Sequence, residues 1–161
     1  MIRLSNRFMQ FAYSVPFKVS AELKNAGFEE GTFVVPSGTT GGVDNGIKLP
    51  TAGTKAYMVL SSKRTGRDNI SAKPVDVAQV SIGAAIVDTD QIEADVLSAA
   101  PGTPLYVTST GTLTATDPKR GTGVIVAYLL DADPAASTSD PVEDYRGFSG
   151  AGGFARVHII G

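Results

Sequence analysis

Two stretches of this chain are nearly the same: Val77-Ala-Gln-Val-Ser-Ile82 and Phe154-Ala-Arg-Val-His-Ile159 carry Ala, Val and Ile at identical places. In both stretches the shared residues stand at every second position, which is the period of a β-strand. The stretches are 77 residues apart (77 to 154), so they predict one strand that occurs twice in an internally repeated protein.

Three further pairs of segments extend the repeat outward from this strand. They are Ala21-Glu-Leu-Lys24 with Gly31-Thr32 against Ile92-Glu-Ala-Asp95 with Gly102-Thr103, Asn45-Gly46 against Thr110-Gly111, and the run 56–60 against the run 124–128. Their offsets are 71, 65 and 68 residues, and each change falls in a stretch rich in Gly, Pro, Ser or Asp, where insertions are tolerated. The sequence thus predicts two similar β-units, about residues 15–83 and 84–161, that share the core of one β domain.

Two segments of the repeat, residues 17–24 and 90–97, had to be assigned as strand or helix. In residues 17–24 every second residue is apolar, which predicts a half-buried strand. Residues 90–97 fit two structures, because Asp90-Gln-Ile-Glu93 resembles the capping box of a helix while Ile92, Ala94 and Val96 alternate as in a strand. The match to residues 21–24 favours the strand, so residues 90–97 are predicted as a strand.

Composition narrows the class of protein. The chain has 18 Gly and 9 Pro in 161 residues, and 42% of it is hydrophobic, which is typical of short strands joined by many turns. A net charge of −2 does not provide the positive field that nucleic-acid binders and binders of anionic membranes need. No apolar run approaches the roughly 18 residues that span a bilayer, and the first residues lack the apolar stretch of a signal peptide. We expect an all-β protein with no nucleic-acid or membrane partner.

Few residues are suited to catalysis or metal binding. The chain has no Cys and a single His, His158, which excludes disulfides, thiolate sites and multi-His metal sites within one chain. No Gly-x-Ser-x-Gly pattern marks a nucleophile. Four closely spaced carboxylates could bind calcium, but the glycine and terminal glutamate of an EF-hand are missing, and we interpret them as solvent-facing side chains of a strand. These are Asp88, Asp90, Glu93 and Asp95. The sequence predicts no catalytic residue, no metal site and no cofactor.

Two regions lie outside the repeat. Residues 1–14 form a predicted extended N-terminal arm that is both apolar and basic, and residues 131–153 form a long loop rich in Asp, Ala, Ser, Pro and Gly. The residues of the arm that could make contacts are Arg3, Arg7, Phe8, Phe11 and Tyr13.

Charged residues at one pair of equivalent loops suggest a contact between subunits. Lys63, Arg64 and Arg67 could hold a phosphate, although a solvated turn explains them as well. At the offset of 68, Lys63 and Thr65 correspond to Asp131 and Asp133, so the equivalent loops carry opposite charge. Our hypothesis is that these loops meet across a subunit boundary and set its register.

The second unit resembles a known family. The residues that carry the resemblance are the block Ala99-Ala-Pro-Gly-Thr-Pro-Leu-Tyr-Val-Thr-Ser-Thr-Gly-Thr-Leu-Thr114, the strand Gly123-Val-Ile-Val-Ala-Tyr-Leu129 and the end Ala155-Arg-Val-His-Ile-Ile-Gly161. In this order they are similar to the C-terminal half of the small capsid decoration (cement) proteins of tailed bacteriophages. The chain departs from that family at Ile125 and Ala127, where Gly and Ala are frequent, and in its longer segment 131–153.

The resemblance implies both a fold and a function. It implies a β-barrel-like or β-tulip domain that forms a trimer or another homo-oligomer. It further implies a structural virion protein on the outer surface of an icosahedral head, where it binds the major capsid protein and bridges capsomers against the pressure of packaged DNA. The arm and the charged residues above are then the candidate contacts with the shell or between subunits. The arm could extend a strand of the shell or of a neighbouring subunit, or cover the core of its own domain.

A second function stays open. A receptor- or carbohydrate-binding β-module of a phage tail or fibre has a similar composition. Such modules normally expose clusters of Trp or Tyr, whereas this chain has no Trp and five Tyr. A small hydrolase is not expected, because no nucleophile and base are paired in the sequence.

Overall fold

The computed structural model describes residues 2–4, 14–38, 46–61, 77–81, 83–133 and 153–160. These residues form eleven strands and two short helices, which confirms the prediction of an all-β, barrel-like protein. No helix in the described part of the chain is long and apolar enough to cross a membrane.

The two halves of the chain contain the same elements in the same order. The first unit consists of β2 (Ser14–Val19), α1 (Ala21–Ala26), β3 (Phe33–Pro36), β4 (Gly46–Lys48), β5 (Tyr57–Ser61) and β6 (Val77–Ser81). The second unit consists of β7 (Ala85–Thr89), α2 (Ala94–Leu97), β8 (Pro104–Val107), β9 (Leu113–Thr114), β10 (Ala127–Asp133) and β11 (Phe154–Ile159). The arm contributes β1 (Ile2–Leu4).

The strand pairings of the two units also correspond. The first unit forms a closed barrel in the order β2-β4-β3-β5-β6, and the second forms a sheet in the order β7-β11-β10-β8-β9, with β1 added beyond β7. The parallel pairing of Val19 with Ile47, which closes the first barrel, has its counterpart in the parallel bridge between Ile92 and Leu113. The chain is therefore built from two similar β-units.

The register of the strands defines which residues are equivalent. Val59 pairs with Val80, and Leu129 pairs with Val157; in both units a bulge follows at once, before the pairs Ser61 with Gln79 and Asp131 with Arg156. The offset between β5 and β10 is therefore 70 residues (59 to 129), and the offset of 68 was wrong. A shift of two leaves the same side chains on the same face of a strand, so the apolar pattern alone does not detect it.

The strand predictions for residues 17–24 and 90–97 were wrong in part. Strand β2 ends at Val19 and helix α1 follows, while residues 94–97 form α2. Ser20 caps α1, since its Oγ accepts a hydrogen bond from the Leu23 N–H at 3.1 Å. Leu23 and Val96 are each buried in the core of their own unit. Both segments contain a helix, but the match was two residues out of register: Val19 and Ile92 make the equivalent parallel pairings, so Leu23 corresponds to Val96.

The Gly-Thr pairs of the repeat form equivalent turns. Gly31 and Gly102 have φ values of 95° and 89°, which side chains with a Cβ rarely adopt. Their N–H groups donate to the carbonyls of Val59 and Leu129 at 2.8 and 2.7 Å. The N–H groups of Val59 and Leu129 in turn donate to the carbonyls of Thr32 and Thr103, both at 2.9 Å. The first turn is thus bonded to β5 and the second to β10.

The two units are joined by the outer side of the first barrel. Within the barrel, Val34 and Val59 belong to the core, while the alternate residues Phe33 and Met58 on the same strands belong to the core of the second unit. Between described residues, three backbone hydrogen bonds cross this joint: Phe33 N to Gly111 O at 2.8 Å, Gly53 N to Val107 O at 2.8 Å, and Val124 N to Gly53 O at 3.0 Å.

Candidate functional site

The beginning of the arm lies on the chain's own second sheet. Strand β1 pairs antiparallel with β7, so that Ile2, Arg3 and Leu4 are opposite Thr89, Asp88 and Val87. In the sheet order β1 is the last strand, with no second neighbour among the described residues. The other four candidate residues of the arm, Arg7, Phe8, Phe11 and Tyr13, lie outside the described residues.

Two of the predicted contact residues occupy one row across this sheet. Asp131 is opposite Arg156, Arg156 is opposite Asp88, and Asp88 is opposite Arg3. The Arg156 guanidinium binds Asp88 with two contacts, Nε to Oδ1 at 2.7 Å and Nη2 to Oδ2 at 3.0 Å. Cross-strand charge pairs of this kind help to set the register of neighbouring strands.

The proposed contact between oppositely charged loops stays a prediction. Lys63, Arg64 and Arg67 lie outside the described residues, whereas Asp131 is exposed and Asp133 is the last residue of β10. The register corrects one detail, because Asp131 corresponds to Ser61 and Lys63 corresponds to Asp133 at the offset of 70.

The four clustered carboxylates are engaged with different partners. Asp88 binds Arg156, Asp90 accepts from Gln91 Nε2 at 3.1 Å, and Glu93 accepts from Thr112 Oγ1 at 2.6 Å. Within the described ranges no three His, Cys, Asp or Glu residues are grouped so that they could hold a metal ion.

Asp95 is the most extensively bonded of these carboxylates. Its Oδ2 accepts from Thr114 Oγ1 at 2.8 Å, from Ala115 N at 3.1 Å, and from Thr116 N and Oγ1 at 3.0 and 2.9 Å. Its Oδ1 is buried and has no hydrogen-bond partner among the described residues. Burial raises the pKa of this carboxyl, but the hydrogen bonds from Thr114, Thr116 and Ala115 outweigh it and bring the pKa below its ordinary value. Asp95 therefore ties α2 to β9, a role that the sequence did not reveal.

The outer face of the second unit is apolar. We use this name for Pro104 and Tyr106 on β8 and Tyr128 and Leu130 on β10. Tyr128 and Leu130 are 36% and 39% exposed, although buried Leu129 lies between them. His158 is opposite Tyr128 on the neighbouring strand and is half-buried. Exposed apolar patches of this kind mark interaction sites.

The first barrel contains an apolar pocket of about 130 Å³. It is lined by Phe17, Val34, Val35, Pro36, Ile47, Tyr57 and Val80. Pro36 is exposed at its edge, while Val34, Ile47 and Val80 form its buried wall. An apolar cavity of about 150 Å³ holds one benzene-sized ring, so this pocket is close to the size of an aromatic side chain.

No protein-family model, curated protein or solved structure matches this chain.

The sequence predicted neither the outer face of the second unit nor the pocket of the first barrel. The run 124–130 is apolar at nearly every position, which is typical of a strand covered on both faces. One face of β10 is instead uncovered, and the only sequence signal for this was the tyrosine within the run. A tyrosine is often placed where one end of its side chain meets water.

Proposed function

We propose that this chain is a capsid decoration protein, which binds the outer surface of an icosahedral phage head and bridges neighbouring capsomers. The observation that carries the proposal is the position of the block 99–161. Its described residues form β8, β9, β10 and β11, which are consecutive neighbours in one sheet. The segments that are similar to decoration proteins thus belong to one continuous structural unit.

The arm supports a mechanism for the attachment to the shell. Among the described residues β1 is the edge strand of its sheet, and an edge presents unpaired N–H and C=O groups to a further strand. A strand of the major capsid protein can add to such an edge through main-chain hydrogen bonds. Repeated over many copies, a contact of ordinary size, about 800 Å² per partner, opposes the expansion of the shell.

The proposal is tested by the copy number of this chain relative to the major shell protein in density-purified particles. A ratio near one, or a simple fraction of it that amounts to hundreds of copies, is expected. A handful of copies per particle would contradict the proposal and indicate a tail or fibre module. Complete absence from particles would also overturn it, and glycan binding would then be the function to test.

The same particles test the arm. Shells that lack this chain are mixed with the full chain or with a variant that begins at Ser14, the first residue of β2. We expect the shortened variant to remain folded and not to bind. Glu29→Gln, a change of one exposed carboxylate in the first unit, is the matched control and should bind like the full chain. Undiminished binding of the shortened variant would assign the attachment to another surface.

A further inference from the structure

The two units bury equivalent residues to different extents. Phe33 pairs with Met58, and Pro104 pairs with Tyr128 at the same register, so that Tyr128 is the counterpart of Met58. Met58 is fully buried (0% exposed), because the second unit covers it, whereas Tyr128 is 36% exposed. Phe33 is likewise fully buried and its counterpart Pro104 is half-buried. The outer face of the second unit is thus the uncovered equivalent of the face that forms the joint.

The residues that line the pocket of the first unit can be compared with their counterparts in the second unit in the same way. Through the strand registers, all seven residues of its lining have counterparts in the second unit. Five of the counterparts belong to the core that Phe33 and Met58 complete, whereas Thr89 and Tyr106, the counterparts of Phe17 and Val35, do not. Val34, Pro36, Ile47, Tyr57 and Val80 correspond to Leu105, Val107, Leu113, Ala127 and Val157. In the second unit, the side chains of Phe33 and Met58 pack into the core. At the corresponding place the first unit has a cavity of about 130 Å³.

We propose that the outer face of the second unit of one molecule docks onto the pocket of the first unit of another copy, with Tyr128 at the centre of the contact. The joint inside the chain would then continue from molecule to molecule. The aromatic ring of Tyr128 suits a cavity of this size and apolar lining. The inference rests on the internal repeat and does not depend on the proposed capsid role.

The symmetry of the assembly follows from the kind of contact. Each molecule contributes two different surfaces, so the interface is heterologous, and such interfaces close into a ring or continue as a filament. A second copy is the favoured occupant because the contact is continuous with an interface that the chain already contains, between surfaces of matching apolar character.

The test measures the mass of the purified full chain by sedimentation over a range of concentrations, without any shell protein present. Tyr128→Asp alters the outer face, and Pro36→Asp alters the exposed edge of the pocket. Both residues are exposed, so both variants should stay folded, which their melting temperatures check. We expect each to weaken self-association at least about tenfold, as changes at the centre of an interface do. Pro118→Asp, at an exposed proline that belongs to neither surface, is the matched control and should associate like the wild type.

Mixing the two variants tests the head-to-tail geometry. The Tyr128→Asp variant keeps an intact pocket, and the Pro36→Asp variant keeps an intact outer face, so together they should form a one-to-one complex that neither forms alone. A wild-type chain that stays monomeric at about 100 µM, where ordinary interfaces are populated, would overturn the inference. So would an oligomer that is unaffected by either variant, or the absence of a complex on mixing, which would place another partner on these surfaces.

Discussion

Gly111 is held where no other residue fits. Its φ is 83°, and a Cβ at this position would lie 2.6 Å from Phe33 O and 2.7 Å from Thr32 Cγ2. Gly102 has a similar φ of 89°, but a Cβ there would meet nothing within 4 Å. We expect Gly102→Ala to cost about 1–2 kcal/mol of unfolding free energy from its backbone alone, and Gly111→Ala to cost more. Urea denaturation of the two variants measures the difference, and equal losses would show that the clash is relieved.

Asp95 should contribute more to stability than an ordinary surface carboxylate. Asp95→Asn removes the negative charge that accepts four hydrogen bonds, and we expect a loss of about 1–3 kcal/mol in the free energy of unfolding. Glu29→Gln is the control, because Glu29 is exposed, and it should change this free energy little. If both variants unfold at the same urea concentration, the bonds of Asp95 are not stabilising.

The same carboxylate predicts a pH dependence. The pKa of Asp95 in the folded chain lies below its ordinary value of 3.8, so the folded state favours the ionised form. Its contribution is therefore fully present well above pH 3.8 and is lost as the pH falls through the folded pKa. We expect the melting temperature of the wild type to fall as the pH is lowered through this range, and the melting temperature of Asp95→Asn to fall less steeply. Parallel curves for the two proteins would contradict this assignment.

At the scale of elements, the arm is the piece most easily separated from the fold. Strand β1 contacts β7, whereas the first barrel begins with β2 at Ser14. A variant that begins at Ser14 should therefore stay folded, but the amides of β7 should exchange hydrogen faster because one edge of that strand loses its partner. The amides of β5 and β6 are the internal control and should be unchanged. Equal acceleration in β6 and β7 would mean that the arm stabilises both units.

The elements also show how far a repeat can be interpreted without a structure. The equivalence of the two Gly-Thr pairs was visible because a positive φ restricts the choice of residue locally, although the turns themselves were not predicted. The similarity of residues 21–24 and 92–95 was visible too, but the match was two residues out of register, and the helices in these segments were not predicted. A single turn of helix with one buried residue leaves too short a pattern to distinguish from alternation.

At the scale of the whole molecule, stability should depend on the joint between the units. Phe33→Ala removes a fully buried ring from the core of the second unit, and we expect a loss of about 3–5 kcal/mol. Protection from hydrogen exchange should fall in β8 and β9 as well as in β3. Val34→Ala is the matched control, because the neighbouring side chain belongs to the first barrel's core, and its effect on exchange should centre there. Loss of protection confined to β3 in the Phe33 variant would show that the units are stable separately.

The sequence by itself determined the all-β class, the number of units and the equivalence of the Gly-Thr pairs at residues 31–32 and 102–103. These features follow from local requirements: alternation with a period of two, and backbone angles that only glycine adopts readily. The offset between β5 and β10 was not determined, because a shift of two residues keeps every side chain on its face.

Only the tertiary structure decided which apolar residues are covered. Met58 and Tyr128 occupy equivalent places on equivalent strands, and no local pattern separates them. Met58 is buried because the second unit packs against it, while Tyr128 is 36% exposed. Burial at these positions depends on a neighbour distant in sequence, so the exposed face around Tyr128 and the pocket of the first barrel became visible only in the folded molecule.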